Sequence, residues 1–249
     1  MSLVTTTAFI LRVDPLSEKD LVAALLTKDH GVVRGAVKGA RGPSRRRAAL
    51  ETLTEVSVTY FRRESADLAR VDRVEVLRSA FALAQQAATA MLLPYVAESA
   101  LTFVPEQEPG TEVYRLVRHV LDALEAGIDP DVSARYFEAW LLRFAGLLPE
   151  DGTCVSCGEA VPPGAARLDP HVPGLGHVEC VPASRGIPVP ASSRALLAAL
   201  RRRPLPQVAA DGGGPGREGL EGVETLCREV RRRFLGHELK SYRFLDSLS

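Results

Sequence analysis

Two ligand pairs carry the clearest chemistry in this chain. Cys154-x-x-Cys157 is followed, nineteen residues on, by His177-x-x-Cys180. A two-residue gap lets one tight turn present both of its ligands to the same side of an ion, and the loop between the pairs lets them close a tetrahedron. Three thiolates and an imidazole are what Zn2+ prefers. Four protein ligands leave no position for an activated water, so the expected metal is structural. Gly158, directly after the second Cys, suits the turn. His171 is an alternative to His177 as the third ligand, without the two-residue spacing to Cys180. The surrounding residues 151–183 hold Pro162, Pro163, Pro173 and Gly174 but few large apolar side chains, so they need a staple. Incidental cysteines are the plain competing reading. A redox CxxC fits poorly, because no βαβ pattern surrounds it. Cys227 reads as a small buried hydrophobe.

The second feature is electrostatic. From Arg34 to Arg47 the chain carries Arg34, Lys38, Arg41, Arg45, Arg46 and Arg47 and no acid. Glycines at 39 and 42 let backbone approach a phosphate chain, and guanidinium forks hold phosphate oxygens in pairs. Arg62 and Arg63 extend the patch. The expected ligand is nucleic acid, held mainly through phosphates, with little sequence preference and strong salt dependence. A solvated charge run is the plain alternative. Arg201-Arg202-Arg203 and Arg231-Arg232-Arg233 are secondary basic patches; the latter lies in a helical pattern that spreads its charges around the axis.

The sequence shows no GxxxxGK[ST], GxSxG, HExxH or GxGxxG. Neither a nucleotide cofactor nor catalysis is expected, and DGGGPG at 211–216 reads as a loop. Net charge over the 249 residues is zero, so nucleic-acid binding must come from local clustering. The N-terminal MSLVTTTAFILRVD lacks a basic region before its apolar run, and no apolar stretch is long enough to span a membrane. Cysteines grouped with a histidine suit a reducing compartment. A cytoplasmic protein is expected.

These groups need elements to hold them. Residues 3–80 read as five short strands: TTTAFILRV, with Phe9, Leu11 and Val13 on one face; LVAALLT, turning at Lys28–Gly31 into GVVRGAVKG; TEVSVTYF; and LARVDRVEVL. So many short strands suggest a small closed barrel, which removes exposed edges; an SH3-like barrel is the competing reading. From Ser79 the spacing becomes helical. Thr111 is placed to cap one helix and Asp129-Pro130 to open another, through Phe137, Trp140, Leu141 and Phe144. Ser192 or Ser193 suits a further helix start, and the last thirty residues are again helical. The fold class is α+β, multidomain: a barrel over 1–79, then an all-α domain in two parts, 80–150 and 184–249, sharing one core and interrupted by a zinc finger at 151–183.

The order of these parts resembles the RecO family of bacterial recombination mediators. The matching residues are Thr27, His30 and Gly31; Lys38-Gly39-Ala40-Arg41, with Ser44 before the arginines; Ala48-Ala49-Leu50; and Cys154-Val155-Ser156-Cys157-Gly158. In the finger, Leu168-Asp169-Pro170 and Pro173-Gly174 occupy the places of family segments, and His177 falls where the family pattern has a Cys. The resemblance implies an N-terminal OB-fold that binds single- and double-stranded DNA, a helical domain and a zinc finger. It also implies an ATP-independent activity: annealing complementary strands and, with RecR, helping load RecA onto single strands coated by SSB. The SSB C-terminal tail would be a further partner, and the nucleoid the working place. A zinc-stapled protein-interaction adaptor with no DNA role is the alternative.

Overall fold

The N-terminal apolar run forms a single long strand, β1 (Ser2–Pro15), that is shared between two neighbours. Its first half pairs antiparallel with β4 (Glu55–Arg62), from Ser2↔Arg62 to Phe9↔Glu55. Its second half pairs with β2 (Leu21–Thr27), from Ala8↔Thr27 to Pro15↔Leu21. β2 turns into β3 (Gly31–Val37), and β5 (Ala69–Arg78) pairs antiparallel with β4 and parallel with β3. The closed order β1-β2-β3-β5-β4 is that of an OB-fold. This computed structural model describes residues 2–43, 45–62, 68–106, 108–169, 171–210 and 214–242.

Ala8, Ile10, Leu21, Ala23, Leu25 and Tyr60 fill the barrel with their neighbours. The sequence places Phe9, Leu11 and Val13 on one face; the structure divides them. A bulge between Ile10 and Arg12 shifts the register, so Val13 packs on the barrel core while Phe9 points outward. One extra residue reverses the in/out phase of everything beyond it. Phe9 lies 4.9 Å from the Tyr114 ring. Tyr114 belongs to α4 (Thr111–Glu125), and its hydroxyl donates to Glu55 at 2.6 Å. A four-residue helix, α1 (Arg45–Ala48), sits between β3 and β4. After β5 come the single turn α2 (Phe81–Ala84) and α3 (Ala87–Phe103), which packs on β1 and β2.

The turn after β2 is fixed by Thr27. Its hydroxyl accepts from His30 N at 3.0 Å and donates to Gly31 O at 2.8 Å. Gly31 has φ +61°, and a Cβ there would stand 1.9 Å from Glu108 O, so only glycine fits. Thr111, the first residue of α4, donates its hydroxyl to Lys28 O in the same turn.

The chain forms two compact units. One runs to Leu121 and resumes at Leu239; the other is Asp122–Glu238. In the first, the returning segment buries Leu239 and Tyr242, with Tyr242 edge-on to Tyr95 at 5.6 Å. Glu98 accepts from the N–H groups of Lys240 and Ser241 at 3.1 and 2.7 Å. In the second, α5 (Pro130–Phe144) starts at Asp129, whose carboxylate accepts from Asp131 N and Val132 N. α5 and α6 (Ala191–Arg202) both pack on α8 (Arg217–Leu235), with α7 (Leu205–Ala210) beside them. Arg231, only 2% exposed, pairs with Glu138 and Glu238, and Arg135 pairs with Glu138 and Glu224. Buried charge at these positions is tolerated because each ion has opposite partners. Between α5 and α6 lies the small sheet β7-β6-β8, made of β6 (Ala166–Leu168), β7 (Leu175–Gly176) and β8 (Ile187–Val189).

Candidate metal centre and nucleic-acid interface

Cys154, Cys157, His177 and Cys180 converge, with all four donor atoms within 4.8 Å of one another. All three cysteines are free thiols. His177 Nδ1 lies 3.5 Å from both the Cys157 and Cys180 sulfurs. A tetrahedral ion with thiolates at about 2.3 Å and imidazole at about 2.0 Å demands sulfur–nitrogen separations of about 3.5 Å. The donor set therefore fits a tetrahedral, thiophilic metal ion. His177 Nε2 is 2.9 Å from Ala160 O, an arrangement in which Nε2 carries the proton and Nδ1 is left to ligate. His171 is outside the group; its backbone N–H caps onto Asp169 instead.

Local structure explains the convergence. Gly158, at φ +78°, lets its N–H return to Cys154 O at 2.9 Å, and Val181 N returns to His177 O at 3.0 Å. Burial pushes the Cys154 thiol up, but backbone N–H groups of Cys157, His177 and Ser156 outweigh it and bring the thiol to about 6. Cys180 is pushed up to about 11, by burial and then by its two cysteine neighbours. Three thiols this close resist carrying negative charge together, and a cation removes that conflict. The His177 imidazole is raised, first by its bond to Ala160 O.

Two arginines that sequence reasoning missed hold the finger. Arg167 on β6 donates to Val178 O and Val181 O at 2.6 and 3.0 Å, bracing the second ligand turn. Arg194 on α6 donates to Asp151, Pro162 O and Gly164 O, bracing the first. Arg194 is 7% exposed. Its only sequence signal is a charged residue on the apolar side of a helix.

On the barrel, Arg34 is exposed near the middle of β3, and Lys38 and Arg41 are exposed after its end. Ala40 between them is fully buried and plugs the barrel. The turn is fastened to the β1–β2 connection: Gly39 N donates to Asp20 at 2.9 Å, Arg41 N to Lys19 O at 3.1 Å, and Arg41 Nη1 to Ser17 O at 2.7 Å. Arg47 is exposed in α1, and Arg62 half-buried at the end of β4. The backbone of Arg45 and Arg46 belongs to α1; their side chains, and all of Arg63, lie outside the described residues. The structure adds Arg70. Its cross-strand neighbours are Ala36 on β3 and Phe61 on β4, and its guanidinium stands 6.0 Å from the Phe61 ring centroid. Arg34, two residues before Ala36, shares that outer face. Arg70 escaped sequence reading because β5 meets β3 in parallel, and no hairpin signal announces such a pair.

The family model described as Recombination protein O N terminal matches residues 1–80, and Recombination protein O C terminal matches residues 84–243. The chain belongs to the RecO family. It is 34% identical to the DNA repair protein RecO of Anaeromyxobacter sp. (strain K), covering 100% of this chain and 98% of that one. Similarity to the DNA repair protein RecO of Koribacter versatilis is also 34%, over 97% of both chains. The Dehalococcoides mccartyi (strain ATCC BAA-2266 / KCTC 15142 / 195) protein of the same name is 26% identical over 98% of this chain and 95% of its own. This RecO-family chain thus carries a metal-ready Cys3His group and a basic barrel face. Among the described residues, no helix is long and apolar enough to cross a membrane.

Proposed function

We propose that this protein is an ATP-independent DNA-binding factor of recombinational repair that anneals complementary single strands and, with RecR, promotes RecA loading onto SSB-coated single-stranded DNA. The observation that carries the reading is a set of exposed cations on an OB barrel in a RecO-family chain, with Arg34 and Arg70 on one outer face and Lys38 and Arg41 in the turn after β3. Phosphate chains repel one another, and a cationic face that holds them lowers that repulsion and raises local strand concentration. Base pairing then supplies the free energy, so neither a nucleotide nor catalysis is needed. Arg45, Arg46, Arg47, Arg62 and Arg63 add charge to the same contact, which also accepts duplex DNA. The relatives' shared name, DNA repair protein RecO, supports a role in DNA repair; the cytoplasm, at the nucleoid, is the proposed place of that work. RecR, RecA and the SSB tail are the partners the family resemblance implies.

Zn2+ is the proposed metal. Held by Cys154, Cys157, His177 and Cys180, it would have no open position, and its role is to fold the finger.

The test is strand annealing without ATP at two salt concentrations. Wild-type protein should accelerate annealing, less so at high salt. The Lys38→Ala/Arg41→Ala pair should flatten the salt dependence of single-strand binding by roughly 1.4 in log–log slope, about 0.7 per lost phosphate contact. No binding to unpaired DNA in dilute buffer would refute the reading.

A further inference from the structure

The triplet Arg201-Arg202-Arg203 ends α6, where it meets the last turns of α5 within the second unit. Trp140 Nε1 donates to Leu200 O at 2.9 Å, and Arg143 Nη1 donates to Arg201 O at 3.3 Å. These donors occupy the last carbonyls of α6, which would otherwise repel an anion. The Arg143 guanidinium lies 4.8 Å from the Trp140 ring centroid. Phe144 follows at 5.5 Å from Trp140 and is 42% exposed. Arg143 and Arg202 are exposed. No acid occurs in residues 139–149 or 191–210. The face therefore joins aromatic rings, a stacked guanidinium and the positive charge of Arg143, Arg201 and Arg202, which form no ion pair among the described residues.

We propose that this face is a further binding surface for single-stranded DNA. Arg143, Arg201 and Arg202 take phosphates, while Phe144 and the Trp140–Arg143 stack take bases. A peptide of acidic residues alone could satisfy the arginines but has no aromatic ring to stack on Trp140 and Phe144; a nucleotide strand brings a charge and a π face with every residue. The inference rests on the DNA-binding reading above and extends it. A protein that anneals strands gains from holding one on the barrel and another on the second unit, because both are then concentrated on one chain.

The chain contains one tryptophan, so the emission of Trp140 reports on this face alone. The experiment titrates full-length protein with fluorescein-labelled oligo-dT, reading Trp140 quenching and oligonucleotide anisotropy together, with poly-glutamate as the competing ligand class. Oligo-dT should quench Trp140. Arg143→Ala/Arg202→Ala should weaken the quenching phase at least fivefold and lower its salt slope by roughly 1.4. Phe144→Ala should weaken that phase with the slope unchanged. Lys38→Ala/Arg41→Ala should lower total binding while the quenching phase persists. Binding by anisotropy without quenching, or quenching by poly-glutamate and not by oligo-dT, overturns the inference. Quenching by DNA with anisotropy insensitive to the barrel pair keeps this face and removes the barrel contact instead.

Discussion

Replacing Arg194 with alanine should loosen the finger without touching a single metal ligand. The guanidinium is almost fully buried and gives two N–H bonds to Asp151, at 2.6 and 3.1 Å, and bonds of 2.7 and 2.8 Å to the carbonyls of Pro162 and Gly164. Breaking a buried ion pair from one side costs about 3–5 kcal/mol. Asp151 keeps 21% of its side chain in solvent, so water recovers part of that loss and the lower end applies. A cost of about 3 kcal/mol corresponds to roughly a hundredfold larger population of the opened finger. The assay is release of the proposed Zn2+ from metal-loaded protein to a chromogenic chelator, beside hydrogen exchange at residues 152–164. Release should quicken by about two decades if it proceeds through the open form, and exchange protection should fall in parallel. Arg194→Lys, which keeps the charge but not the fork, should fall between the two. Wild-type release and protection in Arg194→Ala would refute the view that this arginine secures the finger.

Further outcomes follow from other sites. Cys157→Ser, or chelation of the wild-type protein, should open residues 151–183 to protease while the barrel stays resistant; equal resistance of both would remove the metal from the folding argument. Tyr114→Phe leaves the Glu55 carboxylate, 2% exposed, short of one donor, though Arg118 remains at 3.3 Å; urea unfolding should show a loss of about 1–2 kcal/mol. Burial raises Glu98, but the bonds from Ser241 and Lys240 outweigh it and hold its carboxyl below the usual range. Its ionised form therefore stabilises the fold above the unfolded value near about 4.3, and that contribution disappears as pH falls through the lowered folded value. Glu98→Gln should be less stable at neutral pH and flatter through the acid range, measured by urea unfolding between about pH 3 and 7.

Alternation and spacing exposed much of this architecture because they report burial directly. The five strand runs, the helical stripe through Phe137 and Leu141 and the paired metal ligands all belong to that class. Tertiary choices were hidden. A bulge beside Leu11 changes phase without any Gly or Pro to announce it, and the parallel β3–β5 pair brings Arg70 to Ala36 across more than thirty residues. Thr111 has the residue type of a cap, but its hydroxyl bonds to a distant turn. Arg231 reads as part of a basic patch and Arg194 goes unnoticed, because nothing local states that a carboxylate waits for each inside the fold.

The return of the chain from Leu239 to the first unit bears on its birth at the ribosome. Tyr242, with no surface left to solvent, meets Tyr95 only after the whole of Asp122–Glu238 has been made. The earliest part of the polypeptide to emerge is thus among the last to be finished, and a nascent chain halted before Leu239 would leave Tyr95 and Glu98 waiting for partners not yet translated.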